Sequence, residues 1–379
     1  MVSSVSVRQI PLLDLQAQHK HIREEVLAEI VRVVDSQKFI LGEDVKKLEG
    51  EIASYCQAKY AIGCASGSDA LILALMALDI RTGDEVLTTP YTFFATAGAI
   101  SRVGATPVFV DVDEETFNLN VELTKKTLAT HTKVRAMIPV HLFGGCADMD
   151  SILEMAAERG IPVIEDAAQS IGSEYKGRRA GTMGQIGTFS FFPSKNLGCY
   201  GDGGIITTGD AALAERLAAL RVHGGKKKYY HEWIGMNSRL DALQAAVLRV
   251  KLRYLDGWSE GRQKNAELYR THLAKMAVPV KALQPAAYQT RHIYNQFVIQ
   301  GERRDALQAH LKGQGIGTEV YYPIPLHLQP CYAFLGHKKG DFPVSERLAE
   351  QSLALPVHSE LPAEDIEYVC ETIRAFYAS

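Results

Sequence analysis

The sequence lacks the features of a membrane, secreted or nucleic-acid-binding protein. No run of its 379 residues is apolar enough to span a bilayer. The stretch Met1 to Arg8 has no basic segment followed by an apolar block, so we expect no secretory leader and a cytoplasmic protein. Lys and Arg number 41 against 44 Asp and Glu, and this net charge of -3 gives no reason to expect nucleic-acid binding. The basic run Lys226 to Lys228 is either a solvated loop or a phosphate-contacting loop.

Paired cysteines are also missing. The six cysteines are scattered without a C-x-x-C pair, so neither a zinc site nor a disulfide framework is expected. We expect no metal, and small buried or half-buried thiols at these positions. The cysteines are Cys56, Cys64, Cys146, Cys199, Cys331 and Cys370.

Short β-branched runs alternate with helical patterns from about residue 60 to residue 210. One helical pattern, Asp148 to Arg159, is followed by Gly160 and then Pro162, which is typical of a helix end. This alternation predicts an α/β fold with a mostly parallel sheet and helices on both faces. The candidate strands are Glu85 to Thr88, Pro107 to Asp113, Val134 to Leu142, Pro162 to Ala167, Gly187 to Phe191 and Gly204 to Thr207.

The pattern changes after Arg239. Leucines and valines from Leu240 to Leu252 recur at helical spacing and predict a connector helix that ends near Gly257. A strand candidate at Gln296 to Ile299 and a helix candidate at Ala363 to Tyr377 belong to a smaller α+β unit. We therefore divide the chain into a large domain, 1–240, and a connector helix with a small C-terminal domain, 241–379.

Lys195 is the first candidate for chemistry, because ligands of parallel sheets lie beyond the carboxyl ends of the strands. The segment 193–198, P-S-K-N-L-G, stands between an apolar strand and the glycine-rich stretch 201–204. Burial there would lower the pKa of the amine towards the neutral nucleophile that imine formation needs. The alternative is an ordinary solvated loop lysine.

Further polar residues end apolar runs at the same edge. Asp166 follows a buried run, where a carboxylate needs a cationic partner such as the protonated ring nitrogen of pyridoxal phosphate; a helix cap is the alternative. The turn Ser66 to Ser68 leads into a helix, so it is either an anion site or a plain helix cap. His141 is placed near this edge too, where packing alone would explain it.

Three motifs occur in order along the chain: E-D-A-A-Q at 165–169, P-S-K-N-L-G at 193–198 and Y-P-I-P-L-H at 322–327. Together they resemble the DegT/DnrJ/EryC1/StrS sugar aminotransferases, and the resemblance covers nearly the whole chain. It implies a fold-type I enzyme with an aspartate-aminotransferase-like large domain and a smaller α+β C-terminal domain. It also implies pyridoxal 5'-phosphate as the cofactor and a homodimer with shared active sites.

The resemblance assigns roles to individual residues. Lys195 matches the lysine that forms the Schiff base with the cofactor and moves the proton, and Asp166 matches the partner of the pyridine nitrogen. Gln169 matches the residue that hydrogen-bonds the phenolic oxygen. Phe93 falls where the family stacks an aromatic ring on the cofactor, with a core aromatic as the alternative. The phosphate-binding positions are Gly67, Ser68, Ser190 and, reaching over from the neighbouring subunit, Asn237.

The implied substrates are a nucleotide-linked keto sugar and L-glutamate, which leaves as 2-oxoglutarate. Tyr322 and His327 lie in a segment that resembles a sugar-contacting loop of the family. Arg239 is a candidate for binding a substrate phosphate or carboxylate, and pairing with Asp241 or Glu232 is the alternative.

The sugar carbon that receives nitrogen is assigned by similarity. The stretches Pro90 to Asn120 and Asn237 to Asp241 are similar to the branch that aminates C3, so a 3-keto sugar is the first choice. A 4-keto sugar nucleotide and a keto-cyclitol are the alternatives. Sugar dehydratases of this family replace the lysine by histidine, and Lys195 speaks against them. A non-catalytic regulator with the same fold would not bind a cofactor at Lys195.

Overall fold

The computed structural model describes residues 8–378. The expectation of no secretory leader falls mainly on residues 1–7, outside the described residues. Within this range the chain forms twelve α-helices and fourteen strands. The helices are α1 Leu15–Ser36, α2 Glu43–Cys56, α3 Gly67–Ala77, α4 Ala95–Arg102, α5 Val121–Thr130, α6 Met149–Arg159, α7 Ala211–Leu220, α8 Ala242–Leu252, α9 Leu255–Lys275, α10 Arg304–Gly313, α11 Pro343–Gln351 and α12 Ala363–Ala378. The strands are β1 Tyr60–Cys64, β2 Glu85–Thr88, β3 Thr106–Phe109, β4 Val134–Met137, β5 Ile164–Asp166, β6 Glu174–Tyr175, β7 Arg178–Arg179, β8 Ile186–Ser190, β9 Gly204–Thr208, β10 Gly225–Lys227, β11 Tyr230–His231, β12 Val280–Ala282, β13 Phe297–Gly301 and β14 Ser352–Leu355.

Seven strands follow one another in the order β3-β2-β4-β5-β8-β9-β1. The pairs β3–β2, β2–β4 and β5–β8 are parallel, and two parallel bridges, Met137 with Val163 and Val140 with Asp166, join β4 to β5. Among these seven strands β9 alone has the opposite direction, so it is antiparallel to both of its neighbours, β8 and β1. The prediction of a mostly parallel sheet is confirmed.

Both faces of this sheet are covered, which explains why its strands are mostly apolar. Successive residues of a strand point to opposite faces, and Val86 and Leu87 accordingly enter two different cores. One core lies against α2, α6 and α8, and the other against α3, α4 and α7. The polar residues Asp166 and Ser190 stand at the carboxyl ends of their strands, where the sheet meets its loops.

A second, smaller sheet contains β12, β13 and β14, all antiparallel, with β13 in the middle. It packs against α9, α10 and α12 around a core in which the rings of Tyr269 and Phe297 stack with centroids 4.9 Å apart. Ile10 also belongs to this core, because its backbone pairs with Ile316.

The connector differs from the single helix expected up to Gly257. α8 ends at Leu252, and α9 begins at Leu255 and continues past Gly257 to Lys275. A glycine inside a helix costs only about 1 kcal/mol, and the packing of α9 outweighs it. α8 packs on α1 and α2. The division of the chain at residue 240 stays a prediction.

Among residues 8–378, no helix has both the length and the apolar composition needed to cross a bilayer.

Candidate active site

A cavity of about 440 Å³ opens at the carboxyl ends of β5 and β8 and at the start of α3. Most of the residues predicted for the site line it, together with others that the sequence did not indicate. The predicted residues in the lining are Gly67, Ser68, Phe93, Asp166, Gln169, Ser190, Lys195 and Tyr322.

Lys195 lies in the loop that follows β8. Its backbone N–H donates to the carbonyl of Phe192 at 2.8 Å, which turns the chain back towards the sheet. The tight return needs Gly198, since a Cβ there would lie 2.3 Å from the carbonyl oxygen of Pro193. Burial lowers the pKa of the Lys195 amine to about 8, and the charge of Asp166 partly opposes this shift. A substantial neutral fraction near pH 8 suits a nucleophilic amine.

Asp166 is the last residue of β5 and is 5% exposed. Its Oδ2 accepts a hydrogen bond from Thr96 Oγ1 at 2.7 Å, and its Oδ1 accepts one from Ala168 N at 3.2 Å. Burial raises the pKa of this carboxyl, while the Thr96 hydrogen bond acts in the opposite direction. The carboxylate is thus oriented by the protein and able to bind one further cationic group in the cavity.

The neighbouring acid, Glu165, points to the other face of the strand. It is fully buried, and its Oε2 lies 2.8 Å from His141 Nε2. His141 Nδ1 accepts from Ala147 N at 3.1 Å, so Nε2 carries the proton and donates to Glu165. Glu165 also accepts from three backbone N–H groups at 2.6–2.7 Å, those of Gly181, Met183 and Gly184. Glu165 and His141 support the floor of the site, in agreement with the packing alternative for His141.

Gln169 and Tyr322 form a hydrogen-bonded pair in the lining of the cavity. Gln169 Oε1 accepts from Phe143 N at 2.7 Å, and Gln169 Nε2 donates to the Tyr322 hydroxyl at 3.1 Å. Burial raises the pKa of Tyr322, so its phenol stays protonated and keeps a donor for a ligand. Phe93 is 58% exposed with its ring centroid 6.1 Å from that of Tyr322. The alternative of a core aromatic at Phe93 is therefore wrong.

The turn before α3 offers an anion site. Ser66 caps the helix by accepting from Asp69 N at 3.1 Å, which leaves the N–H groups at the very start of α3 without helical partners. Gly67 lies against Ser190, where a Cβ would come within 2.6 Å of the serine Cβ. Ser68 and the hydroxyl of Ser190 thus stand beside the helix dipole in one small region.

Asn237 and Arg239 lie outside the cavity lining. Asn237 is exposed and Arg239 is partly buried. Neither Asp241 nor Glu232 forms the expected ion pair with Arg239, and Arg239 has no other ion pair within residues 8–378. The carboxylate of Glu232 instead lies 3.2 Å from Lys226 Nζ. Within one chain these two residues therefore do not line the cavity, although Ser238 between them accepts a hydrogen bond from Ala65 N at 3.2 Å.

His327 is also absent from the cavity lining, in contrast to its predicted sugar contact. The backbone N–H of Leu326 donates to Pro90 O at 2.8 Å, and the following 3-10 turn directs His327 inward. The imidazole is 2% exposed, its Nε2 is 3.0 Å from Glu346 Oε1, and its centroid is 4.6 Å from that of Phe342. Burial lowers its pKa. This position corrects the prediction of a sugar contact within the same chain.

Several cavity residues were missed by the sequence reasoning. Thr96 lies in the same segment as Phe93, but a threonine carries no pattern that marks it as a partner of Asp166. Asp202 stands in the glycine-rich stretch, and Gln296 immediately precedes β13 of the small sheet. Only the folded chain brings these residues together.

Two related proteins are similar over nearly their full length. The pleiotropic regulatory protein of Geobacillus stearothermophilus is 50% identical, over 97% of this chain and 98% of its own. The UDP-N-acetyl-3-dehydro-alpha-D-glucosamine 3-aminotransferase of Acidithiobacillus ferrooxidans is 44% identical, over 96% of this chain and 97% of its own.

Solved structures share the fold. DesV of Streptomyces venezuelae matches with a TM-score of 0.94 and 42% identity, over 98% of this chain and 99% of its own. NtdA of Bacillus subtilis, solved with the bound cofactor PMP, matches with a TM-score of 0.90 and 28% identity, over 98% of this chain and 86% of its own. The model of the DegT/DnrJ/EryC1/StrS aminotransferase family matches residues 20–374. The predicted fold class and family are confirmed: the chain belongs to the DegT/DnrJ/EryC1/StrS aminotransferase family.

Proposed function

We propose that this chain is a pyridoxal-phosphate-dependent aminotransferase that transfers the amino group of L-glutamate to C3 of a nucleotide-linked keto sugar. One observation carries the proposal: an amine of lowered pKa, Lys195, and a buried carboxylate, Asp166, line one cavity that also contains a helix start suited to phosphate. The relatives support the reaction type, and the 3-aminotransferase of A. ferrooxidans supports C3 over C4.

The residues present fit the cofactor. When bound, pyridoxal phosphate supplies an aldehyde that condenses with amines and a ring that takes up electrons from the substrate carbon. Lys195 would anchor the aldehyde carbon and, once displaced by substrate, carry the proton between substrate and cofactor carbons. Asp166 would hold the ring nitrogen in its protonated form. The turn at Gly67 and Ser68, with Ser190, would bind the phosphate.

Phe93 and the Gln169–Tyr322 pair would complete the cofactor contacts. The exposed ring of Phe93 is available for stacking on the pyridine. Gln169 Nε2 and the Tyr322 hydroxyl are donors on the same side of the cavity, suited to a phenolic oxygen or a sugar hydroxyl.

The substrate side supports a second proposal, that a homodimer completes each site. Among the described lining residues Lys195 is the only cation, yet a nucleotide sugar brings two phosphates and glutamate two carboxylates. Asn237 and Arg239 lie outside the cavity of their own chain, and Arg239 has no acid partner among residues 8–378. We infer that they face the cavity of a second copy, with Lys226 to Lys228 nearby.

A regulatory role is the second candidate, because the G. stearothermophilus relative is named a pleiotropic regulatory protein. A regulator without catalysis has no need of a lysine of lowered pKa beside a buried carboxylate. The retained pair therefore favours the enzyme, and cofactor binding separates the two functions.

We also propose a cytoplasmic location. All six cysteines are free thiols, as in proteins of reducing compartments.

The decisive experiment is reductive trapping with borohydride after incubation of the chain with pyridoxal phosphate. The label is expected on Lys195, and a Lys195→Ala variant should bind no cofactor covalently. Lys251 is a matched internal control: its pKa is also lowered to about 8 by burial, but it contacts the Gly198 carbonyl outside the cavity. Labelling of Lys251 alone, or no labelling at all, would contradict the proposal.

The substrate is tested with a panel of 3-keto and 4-keto nucleotide sugars and a keto-cyclitol, using L-glutamate as donor. Formation of 2-oxoglutarate with the 3-keto sugars is expected. Turnover of only the 4-keto sugars or the cyclitol would refute the assignment to C3, and a chain that binds cofactor but turns over none of them would favour the regulator. An Arg239→Ala variant should raise KM for the sugar nucleotide by at least about 10-fold without loss of trapping at Lys195.

A further inference from the structure

The residue after the predicted Schiff-base lysine turns its side chain away from the cavity. Asn196 is 4% exposed, and its amide makes two hydrogen bonds to residues almost 100 positions further along the chain. Its Nδ2 donates to Ile293 O at 3.0 Å, and its Oδ1 accepts from Asn295 Nδ2 at 2.8 Å. The loop that carries Lys195 is thereby fastened to the segment that leads into β13 of the small sheet.

The receiving segment, 293–296, is itself held from two sides. Its backbone donates to the 3-10 turn after β4, from Ile293 N to Gly144 O at 3.0 Å. From the other side, the buried guanidinium of Arg262 donates to the carbonyls of Tyr294 and Asn295 at 3.0 and 3.3 Å. A segment fixed in this way is a rigid support for the amide of Asn196.

The same segment reaches the cavity by two more routes. Gln296 lines the cavity directly. The 3-10 turn that holds Ile293 also contains Phe143, whose N–H donates to Gln169. The loop of Lys195 and the side chain of Gln169 are therefore both linked by hydrogen bonds to the same short segment, 293–296, directly or through the 3-10 turn.

We propose that Asn196 is a positioning residue, which holds the Lys195 amine at a fixed place opposite Asp166 through its amide pair with Asn295 and Ile293. A four-carbon side chain can point in many directions, so the direction of its backbone decides where the amine goes. Proton transfer depends steeply on this geometry, and misplacement by about 1 Å can cost about 100-fold in rate. This inference rests on the proposed transamination, in which Lys195 must act as anchor and proton carrier.

A purely structural role for Asn196 makes a different prediction. Loss of two buried hydrogen bonds would then lower stability, and activity would fall only as the folded fraction falls. Asn265 provides the matched control. It is 5% exposed, and its Nδ2 donates to His358 O at 2.8 Å and to Leu361 O at 3.4 Å. None of these three residues lines the cavity.

The test compares Asn196→Ala, Asn295→Ala and Asn265→Ala. The first measurement is the hydrogen-exchange rate of two backbone amides in the chain without cofactor. They are the amides of residues 195 and 199, which donate to Phe192 O and Phe191 O, respectively. Exchange there should accelerate at least about 10-fold in Asn196→Ala and stay unchanged in Asn265→Ala, even if both variants lose the same amount of thermal stability.

The second measurement is the steady-state kinetics and absorbance of the protein with cofactor bound. Asn196→Ala should lower kcat by about 10- to 100-fold with KM within about threefold of wild type, and should shift the pH at which the bound cofactor changes its visible absorbance. Asn295→Ala should have a smaller effect of the same kind, and the double variant should be no worse than Asn196→Ala alone.

Unchanged exchange at these amides, or equal kinetic effects of Asn196→Ala and Asn265→Ala, would overturn the inference. The inference would also be overturned if the fall in kcat of the double variant equalled the product of the falls caused by Asn196→Ala and Asn295→Ala separately. The exchange experiment needs neither cofactor nor substrate. A wild-type chain that fails to bind pyridoxal phosphate would therefore refute the proposed function, while the role of Asn196 in holding the loop would still be decided.

Discussion

Replacing Asp166 by asparagine is expected to make cofactor capture by Lys195 possible at lower pH and, at the same time, to slow transamination. An ordinary lysine has a pKa near 10.5, and burial brings that of Lys195 to about 8. At pH 7 about one amine in ten is then neutral, roughly 300-fold more than for the ordinary lysine. The charge of Asp166 opposes this lowering, so its removal should move the pKa below 8.

The assay measures the initial rate at which the cofactor-free chain captures pyridoxal phosphate, between pH 6 and pH 11. For the wild type the rate should rise with pH and level off above about pH 8, because further deprotonation adds no neutral amine. The Asp166→Asn curve should level off at lower pH. Its turnover should nevertheless drop by about 100-fold or more, because a neutral amide does not stabilise a protonated ring nitrogen.

Asp202→Asn is the matched control, since Asp202 also lines the cavity but is exposed to solvent. Its curve should level off at the wild-type pH. A wild-type rate that keeps rising to pH 10 would show that Lys195 is not desolvated. A curve for Asp166→Asn displaced to higher pH would show that the carboxylate does not act on the amine as inferred.

Two further substitutions test the support of the site. Gly67→Ala would place a Cβ 2.6 Å from the Cβ of Ser190. We therefore expect the free energy of unfolding, measured in urea, to fall by about 1–3 kcal/mol, and the affinity for cofactor, measured by titration, to fall as well. An unchanged affinity for cofactor would contradict the phosphate site. Glu165→Gln removes a carboxylate that accepts hydrogen bonds from His141 and from three backbone N–H groups. We expect the free energy of unfolding, measured in urea, to fall by about 3 kcal/mol or more. A fall of less than about 1 kcal/mol would contradict the supporting role of Glu165.

The sheet was predictable where strands are short, apolar and bounded by turn residues. The predicted bounds of β2, Glu85 to Thr88, are those observed. The run from Pro107 was expected to extend to Asp113, but β3 ends at Phe109. There the chain leaves the sheet, and the buried carboxylate of Asp111 accepts hydrogen bonds from the backbone at the start of α11, 233 residues away. Periodicity contains no information about such a distant contact.

The same distinction separates the site residues. Lys195 and Asp166 end or follow strands of one parallel sheet, so their position in the sequence places both at one edge. Asn196 and Thr96 depend on partners 97–99 and 70 residues away, respectively. His327 was assigned to the substrate by its motif, but a backbone hydrogen bond from the preceding residue to Pro90 sends its ring into the core instead.

The residues proposed for the reaction and those proposed for the substrate lie in different parts of the chain. The cofactor side of the cavity is built from loops of one sheet, and its residues decide which reaction can occur. Arg239, expected to bind a negative charge of the substrate, lies outside the cavity of its own chain, and so does Asn237, expected to reach the cofactor phosphate of a neighbouring subunit. If a second copy supplies Arg239 to the cavity, substitutions around Arg239 would alter which sugar is accepted. Lys195 and Asp166 would keep the reaction type the same. Relatives that share the lysine and the carboxylate are thus expected to agree in reaction type more closely than in substrate. The proposed homodimer would place sugar specificity at the interface between its chains.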